Sequence, residues 1–185
     1  VNDQKNGTII RNIHFADVPA DAILSGPHIG VANPFFKTSR RICKLNSDYD
    51  PIDVSTIGEL YIQRNNYSIA CDTGTYLSKI PLTPWKTRFN EHYMVCSRKM
   101  LNQSGERTLI CAILPPGMTF INGIFGMVFK ENTALMAGAM ASLTYDFYLK
   151  VTGKSNGRID TFAAFPVLSD KKEHCAIAIR ALMLN

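Results

Sequence analysis

The feature that most restricts the fold is a change of hydrophobic period near Asn132. Before it, β-branched and aromatic residues fill 92–97, 108–114 and 120–129, three expected strands. Turn chemistry separates them: Gln103, Ser104 and Gly105 first, then Pro115, Pro116 and Gly117. After it, Met136, Met140, Leu143, Phe147 and Val151 recur at steps of four, three, four and four, one face of a single expected helix. Asn132 or Thr133 fits its N-cap and Gly153 its C-terminal stop. A further helix is expected from about Asp170 to Asn185. Strands followed by helices imply an α+β fold, with a mixed or antiparallel sheet flanked by helices.

The 185 residues are 46% hydrophobic, enough for one real core and too many for a disordered or collagen-like chain. Residues 1–25 read as a linker or edge segment with short apolar runs at 8–10 and 13–15. The polar stretch 46–53 reads as a loop, because Asp and Asn before Pro51 favour turns. Residues 76–90, with two prolines and the only tryptophan, read as extended or irregular. The apolar run 134–151 nears membrane-spanning length, but Asp146 and Lys150 interrupt it, so no membrane partner is expected. The chain begins at Val1 without a secretory pattern and reads as a piece of something longer. Cys43, Cys71, Cys96, Cys111 and Cys175 lack zinc spacing and read as reduced, buried thiols of a cytoplasmic protein.

Catalytic patterns fare poorly. Asn33-Pro34-Phe35-Phe36 is similar to the loop with which amino-group DNA methyltransferases hold a target amine, but it lacks the second proline. No glycine-rich loop for a methyl donor accompanies it, so a turn followed by core aromatics is the preferred reading. Asp48, Asp50, Asp53 and Glu59 cluster in sequence without the Glu-x-Lys of a metal-dependent nuclease, and read as a solvated turn. Neither a hydrolase nucleophile elbow nor a phosphate-cradling P-loop is present. Glu106, Arg107 and Thr108 stand at the entrance to an apolar strand. There an Arg–carboxylate pair and a Thr hydroxyl are expected to organise the turn.

The formal net charge of +5 is concentrated in three segments. Lys37, Arg40, Arg41 and Lys44 form one. Lys79, Lys86, Arg88, Arg98 and Lys99 surround Trp85, Phe89 and Tyr93. Lys150, Lys154 and Arg158 flank a loop containing Ser155, Asn156 and two glycines, where backbone N–H groups and cations suit phosphate. A solvated helix end is the plainer explanation of that last segment.

Three stretches carry a resemblance. They are GPHIGVANPFFKTSRR at 26–41 with NSDYDPID at 46–53, GERTLICAILPPG at 105–117, and SLTYDF at 142–147 with TGKSN at 152–156 and Phe165-Pro166. Across residues 26–168 the chain resembles the target-recognition region of large bacterial restriction-modification enzymes that carry a fused adenine-specific DNA methyltransferase. Phe165-Pro166 stands where that family usually has Leu-Pro. The resemblance implies a target-recognition-like α+β domain at 26–168, with 169–185 a helix leading into further chain. It implies duplex DNA as partner, together with the catalytic methyltransferase domain of the same parent chain. The fragment itself would be no enzyme and hold no cofactor; S-adenosylmethionine would serve the parent, which could also cleave DNA. The residues expected to face DNA are Lys37, Arg40, Arg41, Lys86, Arg88, Lys154, Ser155, Asn156 and Arg158. The rival reading is a module that packs on the catalytic domain without reading bases.

Overall fold

A computed structural model describes residues 2–166 and 172–185. In chain order the elements are α1 (Asn2–Lys5), β1 (Ile9–Phe15), β2 (Ile23–Leu24), β3 (Lys37–Ser39), β4 (Tyr49–Pro51), β5 (Arg64–Ile69) and α2 (Thr73–Ser78). Then come β6 (Met94–Arg98), β7 (Cys111–Leu114), β8 (Thr119–Phe120), β9 (Ile124–Met127), α3 (Thr133–Ala141), α4 (Leu143–Val151), α5 (Ile159–Ala163) and α6 (His174–Leu184). The chain is α+β. Its centre is an antiparallel sheet in the order β7–β6–β9, with smaller pairs β1–β5 and β3–β4 antiparallel and β2–β8 parallel.

The period of two along the central strands separates two cores. Val95, Cys111 and Ile113 face Ala137, Met140, Leu149 and Phe162 from the helices. Met94, Cys96, Ala112 and Leu114 face the other way, against Leu24, Ile29, Ile62 and Met118. A third cluster joins Ile9, Ile23, Tyr67 and Tyr76 beneath the β1–β5 pair. Residues 1–25, expected as a linker or edge segment, thus supply a paired strand and buried Ile9, Ile23 and Leu24.

Several local expectations need correction. The third expected strand divides in two: Thr119–Phe120 pairs with β2 and Ile124–Met127 with β6. Residues 49–51, expected in a loop, pair with Lys37–Ser39. The irregular segment 76–90 begins inside α2, whose cap is the Asp72 carboxylate accepting from the Thr75 N–H at 2.9 Å.

The single helix over 132–153 is two helices. Ser142 leaves helical space at ψ 154°, donates its hydroxyl to the Ala139 carbonyl and accepts from the Tyr145 N–H, so it ends α3 and caps α4. The break resets the helical phase. α4 buries Tyr145, Asp146 and Leu149, while Leu143, Phe147 and Val151 are 64–73% exposed, opposite to the expected stripe. The starting point Asp170 of the last helix lies outside the described residues, as do Val167 and Leu168 of the apolar anchor; α6 is described from His174.

Buried Asp146 holds the helices to the sheet. Its Oδ1 accepts from the N–H groups of Thr108 (2.8 Å) and Leu109 (2.6 Å) and lies 3.5 Å from the Arg107 guanidinium, which also donates to the Ala141 carbonyl. Thr108 Oγ1 donates to the Asn102 carbonyl at 3.0 Å, closing the turn. Cys43, Cys96 and Cys111 are buried free thiols, whereas Cys175 is exposed. Among the described residues, no helix is long and apolar enough to cross a membrane.

Candidate nucleic-acid interface

The structure distributes the expected DNA-facing residues over separate places and pairs several with carboxylates. Arg40 donates to Asp50 at 2.7 Å, Arg88 to Glu91 at 3.1 Å, and Lys154 to Asp160 at 2.9 Å. Lys37 lies over the Phe36 ring, and Arg41 is exposed. Arg88 donates to the Leu77 carbonyl within α2, and neighbouring Lys86 is exposed in a left-handed conformation, φ 69°. The loop from Lys154 to Arg158 is an ordered edge: Leu101 N–H donates to the Ser155 carbonyl, Gly157 N–H to the Lys99 carbonyl, and Asn156 bridges Met100. Gly157 has a packing role, since a Cβ there would meet the Phe162 ring at 2.7 Å. Its N–H is therefore spent on protein, which removes part of the argument for a phosphate cradle there.

A better-formed site lies beside that edge. Arg11 of β1, Tyr49 of β4, Asn66 of β5, Arg98 of β6 and the 43–46 loop surround a cleft of about 440 Å3, with Met100 and Asn102 on its wall. Its lining contains the cations Arg11, Lys44 and Arg98 and no carboxylate. The turns at Gly26 and Gly123 meet backbone to backbone there; a Cβ on Gly26 would stand 3.3 Å from the Gly123 carbonyl oxygen. Two cations are fixed in place. Arg98 donates twice to the Ile29 carbonyl (3.0 and 2.7 Å) and stacks over Phe36, while Arg11 donates to the Cys43 carbonyl and lies over the Tyr67 ring. Burial holds Arg98 below the ordinary guanidinium range, yet a guanidinium remains protonated.

The back of the cleft is a buried polar chain. Asn66 Nδ2 donates to the Tyr49 hydroxyl, which shares a 2.9 Å hydrogen bond with Ser25 Oγ. Ser25 Oγ lies 3.2 Å from His28 Nδ1, which also accepts from the Ser25 N–H at 2.9 Å. His28 Nε2 faces the Arg64 carbonyl at 3.0 Å, so the ring carries its proton there. Burial pushes His28 down to about 4 and Tyr49 up to about 12. Both are therefore neutral near pH 7. The Ser25–His28 pair has the spacing of a nucleophile and base, but an imidazole this weakly basic is a poor proton acceptor and no carboxylate orients it.

The other catalytic candidates are closed. Asn33 Oδ1 accepts from the Phe35 N–H at 2.8 Å, and the Pro34 carbonyl accepts from Gln63 Nε2 at 2.9 Å. The two groups that would grip a target amine are thus used within the chain. Asp48 accepts from the Lys44 and Leu45 N–H groups, Asp53 bonds Ser55, and the described residues contain no metal-binding cluster of His, Cys, Asp or Glu.

Sequence reasoning missed Arg11, Ser25, Tyr49 and Asn66 as site residues, and left Lys44 and Arg98 out of the expected interface. One local signal existed: Asn65 and Asn66 in β5, with Gln63 just before it, crowd three amides into one stretch, and buried side chains of that type are seldom without partners. No protein-family model, curated protein or solved structure matches the chain.

Proposed function

We propose that the chain is a DNA target-recognition domain that binds duplex DNA across the face containing the Arg11–Lys44–Arg98 cleft. The observation that carries this reading is a cleft with three cations, no carboxylate, and hydroxyl and amide groups behind them. Cations neutralise phosphates and set affinity, while amides and hydroxyls discriminate base edges. Asn156 is joined to this surface through Met100, which lines the cleft. In the parent enzyme that the sequence resembles, the methyl donor S-adenosylmethionine and the chemistry belong to the catalytic domain; this chain selects the sequence.

A different observation favours the rival reading, a module that packs on the catalytic domain without reading bases. Leu143, Phe147 and Val151 on α4 and Ile179, Leu182 and Met183 on α6 are all more than half exposed. Large apolar side chains exposed on two helices suit packing against the catalytic domain of the same parent. Salt titration of duplex binding separates the two readings. Reading DNA requires an affinity that falls steeply with salt, and Arg11→Ala with Lys44→Ala should reduce the log–log slope by about two. Lys154→Ala with Arg158→Ala should reduce it by about one, because Lys154 is already paired with Asp160. Salt-independent or absent binding would leave only the packing module.

A further inference from the structure

The three cations of the cleft differ in exposure. Arg11 and Lys44 are exposed, whereas Arg98 is only partly so. Arg11 Nη2 donates to the Cys43 carbonyl, which sets its guanidinium beside the backbone leading into Lys44. Arg98 donates from Nε and Nη2 to the Ile29 carbonyl, at 3.0 and 2.7 Å, and lies over the Phe36 ring. Its Nη1 has no acceptor among the described residues and is not sealed from solvent. Lys44 Nζ and Arg11 Nε and Nη1 likewise find no hydrogen-bond acceptor among those residues. Asp48, on the same loop as Lys44, turns Oδ2 to the Lys44 and Leu45 N–H groups and does not line the cleft. Arg40, Arg88, Arg107 and Lys154 each have a carboxylate partner, but these three cations share a cleft without one. Like charges gathered in this way repel, so an anion between them is favoured.

Resting on the reading of this cleft as the phosphate site of a DNA-binding face, we propose that it receives a phosphate monoester, a strand end or a free nucleotide, in preference to the phosphodiester of a continuous strand. Charge and access separate the two groups. A monoester carries three free oxygens and a charge of about −1.5 to −2 at pH 7, against two oxygens and about −1 for a diester. The monoester is therefore the better match to three cations. A diester has sugar on both sides and lies along the rim, within reach of Arg11 and Lys44. A monoester is attached on one side and enters end-on, which brings it to Arg98 as well. Arg98 is the residue that discriminates. Its guanidinium suits phosphate oxygens, and the Ile29 carbonyl and Phe36 ring already hold it in place, so binding costs little ordering. The volume of about 440 Å3 is of the size that encloses a small ligand.

The test measures binding of deoxyadenosine 5′-monophosphate and of its 3′,5′-cyclic diester to the full chain by NMR titration at constant salt and pH. The two share base and sugar and differ in the phosphate. In parallel, a duplex with 5′-phosphorylated ends is compared with the same duplex ending in 5′-hydroxyls. The monoester should bind about ten-fold more tightly than the cyclic diester, the worth of one further charge-assisted contact. Arg98→Gln, which keeps a donor for the Ile29 carbonyl, should remove most of that preference and leave the salt slope of duplex binding unchanged. An unchanged slope also shows that the variant folds. No monoester preference in either pair overturns the proposal, as does a ten-fold preference that survives Arg98→Gln. The wild-type comparison needs no variant and decides by itself where Arg98→Gln does not fold. A preference for the phosphorylated duplex assigns the site to strand ends, and one confined to the mononucleotide assigns it to free nucleotides; either supports the proposal. The two readings fail separately. Salt-dependent duplex binding with no monoester preference leaves the DNA reading and removes this one. A monoester preference without salt-dependent duplex binding does the reverse.

Discussion

On the helical face of the β7–β6–β9 sheet, Val95, Cys111 and Ile113 meet Met140, Leu149 and Phe162, a contact of hydrocarbon, thiol and aromatic rings. The opposite face begins in the same way, with Met94, Leu114 and Ile29, but beyond it lie Ser25, His28, Gln63, Asn65 and Asn66, all nearly inaccessible to solvent. The first face needs only shape. The second needs every donor matched to an acceptor, because an unpaired buried polar group is costly. Its departures from full pairing, at Asn66 Oδ1 and Gln63 Oε1, therefore mark where this half of the molecule accepts cost.

The helical face also buries a few polar groups, and one of them, Asp146, gives the largest expected effect. Asp146 is a single carboxylate within the helical face, answered by two backbone N–H groups and Arg107. Asp146→Ala should destabilise the chain by about 3–5 kcal/mol, because it orphans two buried donors and leaves Arg107 without a counter-charge. Urea denaturation reads this directly. Asp146→Asn should cost less, since an amide oxygen can still accept; equal losses would show that charge, not hydrogen bonding, dominates there.

The polar face should instead respond to pH. The folded-state value of His28 is about 4 against an ordinary 6.5, so the unfolded chain binds the proton more readily between those values. This contribution to stability is fully present above about pH 6.5 and diminishes as pH falls through the window; the loss from pH 7 to pH 5 is about 2 kcal/mol. His28→Asn should flatten the dependence, even if it lowers stability at pH 7. A wild-type denaturation midpoint that does not change between the two pH values would show that His28 accepts its proton without unfolding, contrary to its packing against Tyr49 and the Arg64 carbonyl.

Legibility in the sequence follows the same division. The apolar strands around β6 and β7 and the turn organised by Arg107 and Thr108 could be read because period and turn chemistry are local signals. The break at Ser142 could not, because the apolar residues continue in phase across it while the serine hydroxyl substitutes for backbone partners. The cleft was least legible. Arg11, Tyr49, Asn66 and Arg98 come from four different strands, and each reads alone as an ordinary surface or strand residue. Cationic runs, by contrast, attract notice in sequence, yet Arg40, Arg88 and Lys154 each find a carboxylate within ten residues.

The smallest expected effect probes how closely the helical layer is seated. Gly138 lets α6 approach α3: a Cβ there would meet Ile177 Cγ2 at 2.7 Å, the Ile177 carbonyl oxygen at 3.1 Å and Ala181 Cβ at 3.2 Å. Ile177 can rotate away, but its carbonyl and Ala181 move only with α6 itself. Gly138→Ala gains about 1 kcal/mol of helix propensity and loses about 1–3 kcal/mol to overpacking, a net cost of about 1 kcal/mol. The consequence is local. Asn185, just after α6, accepts from the Ile113 N–H at 2.8 Å and so covers an exposed edge of β7. If α6 is displaced, amide exchange at Ile113 should accelerate about five-fold, the equivalent of that net cost, while amides of β5 behind the cleft keep their protection. Acceleration in β5 as well would mean that the two faces of the sheet open together, and that the division between them is chemical but not cooperative.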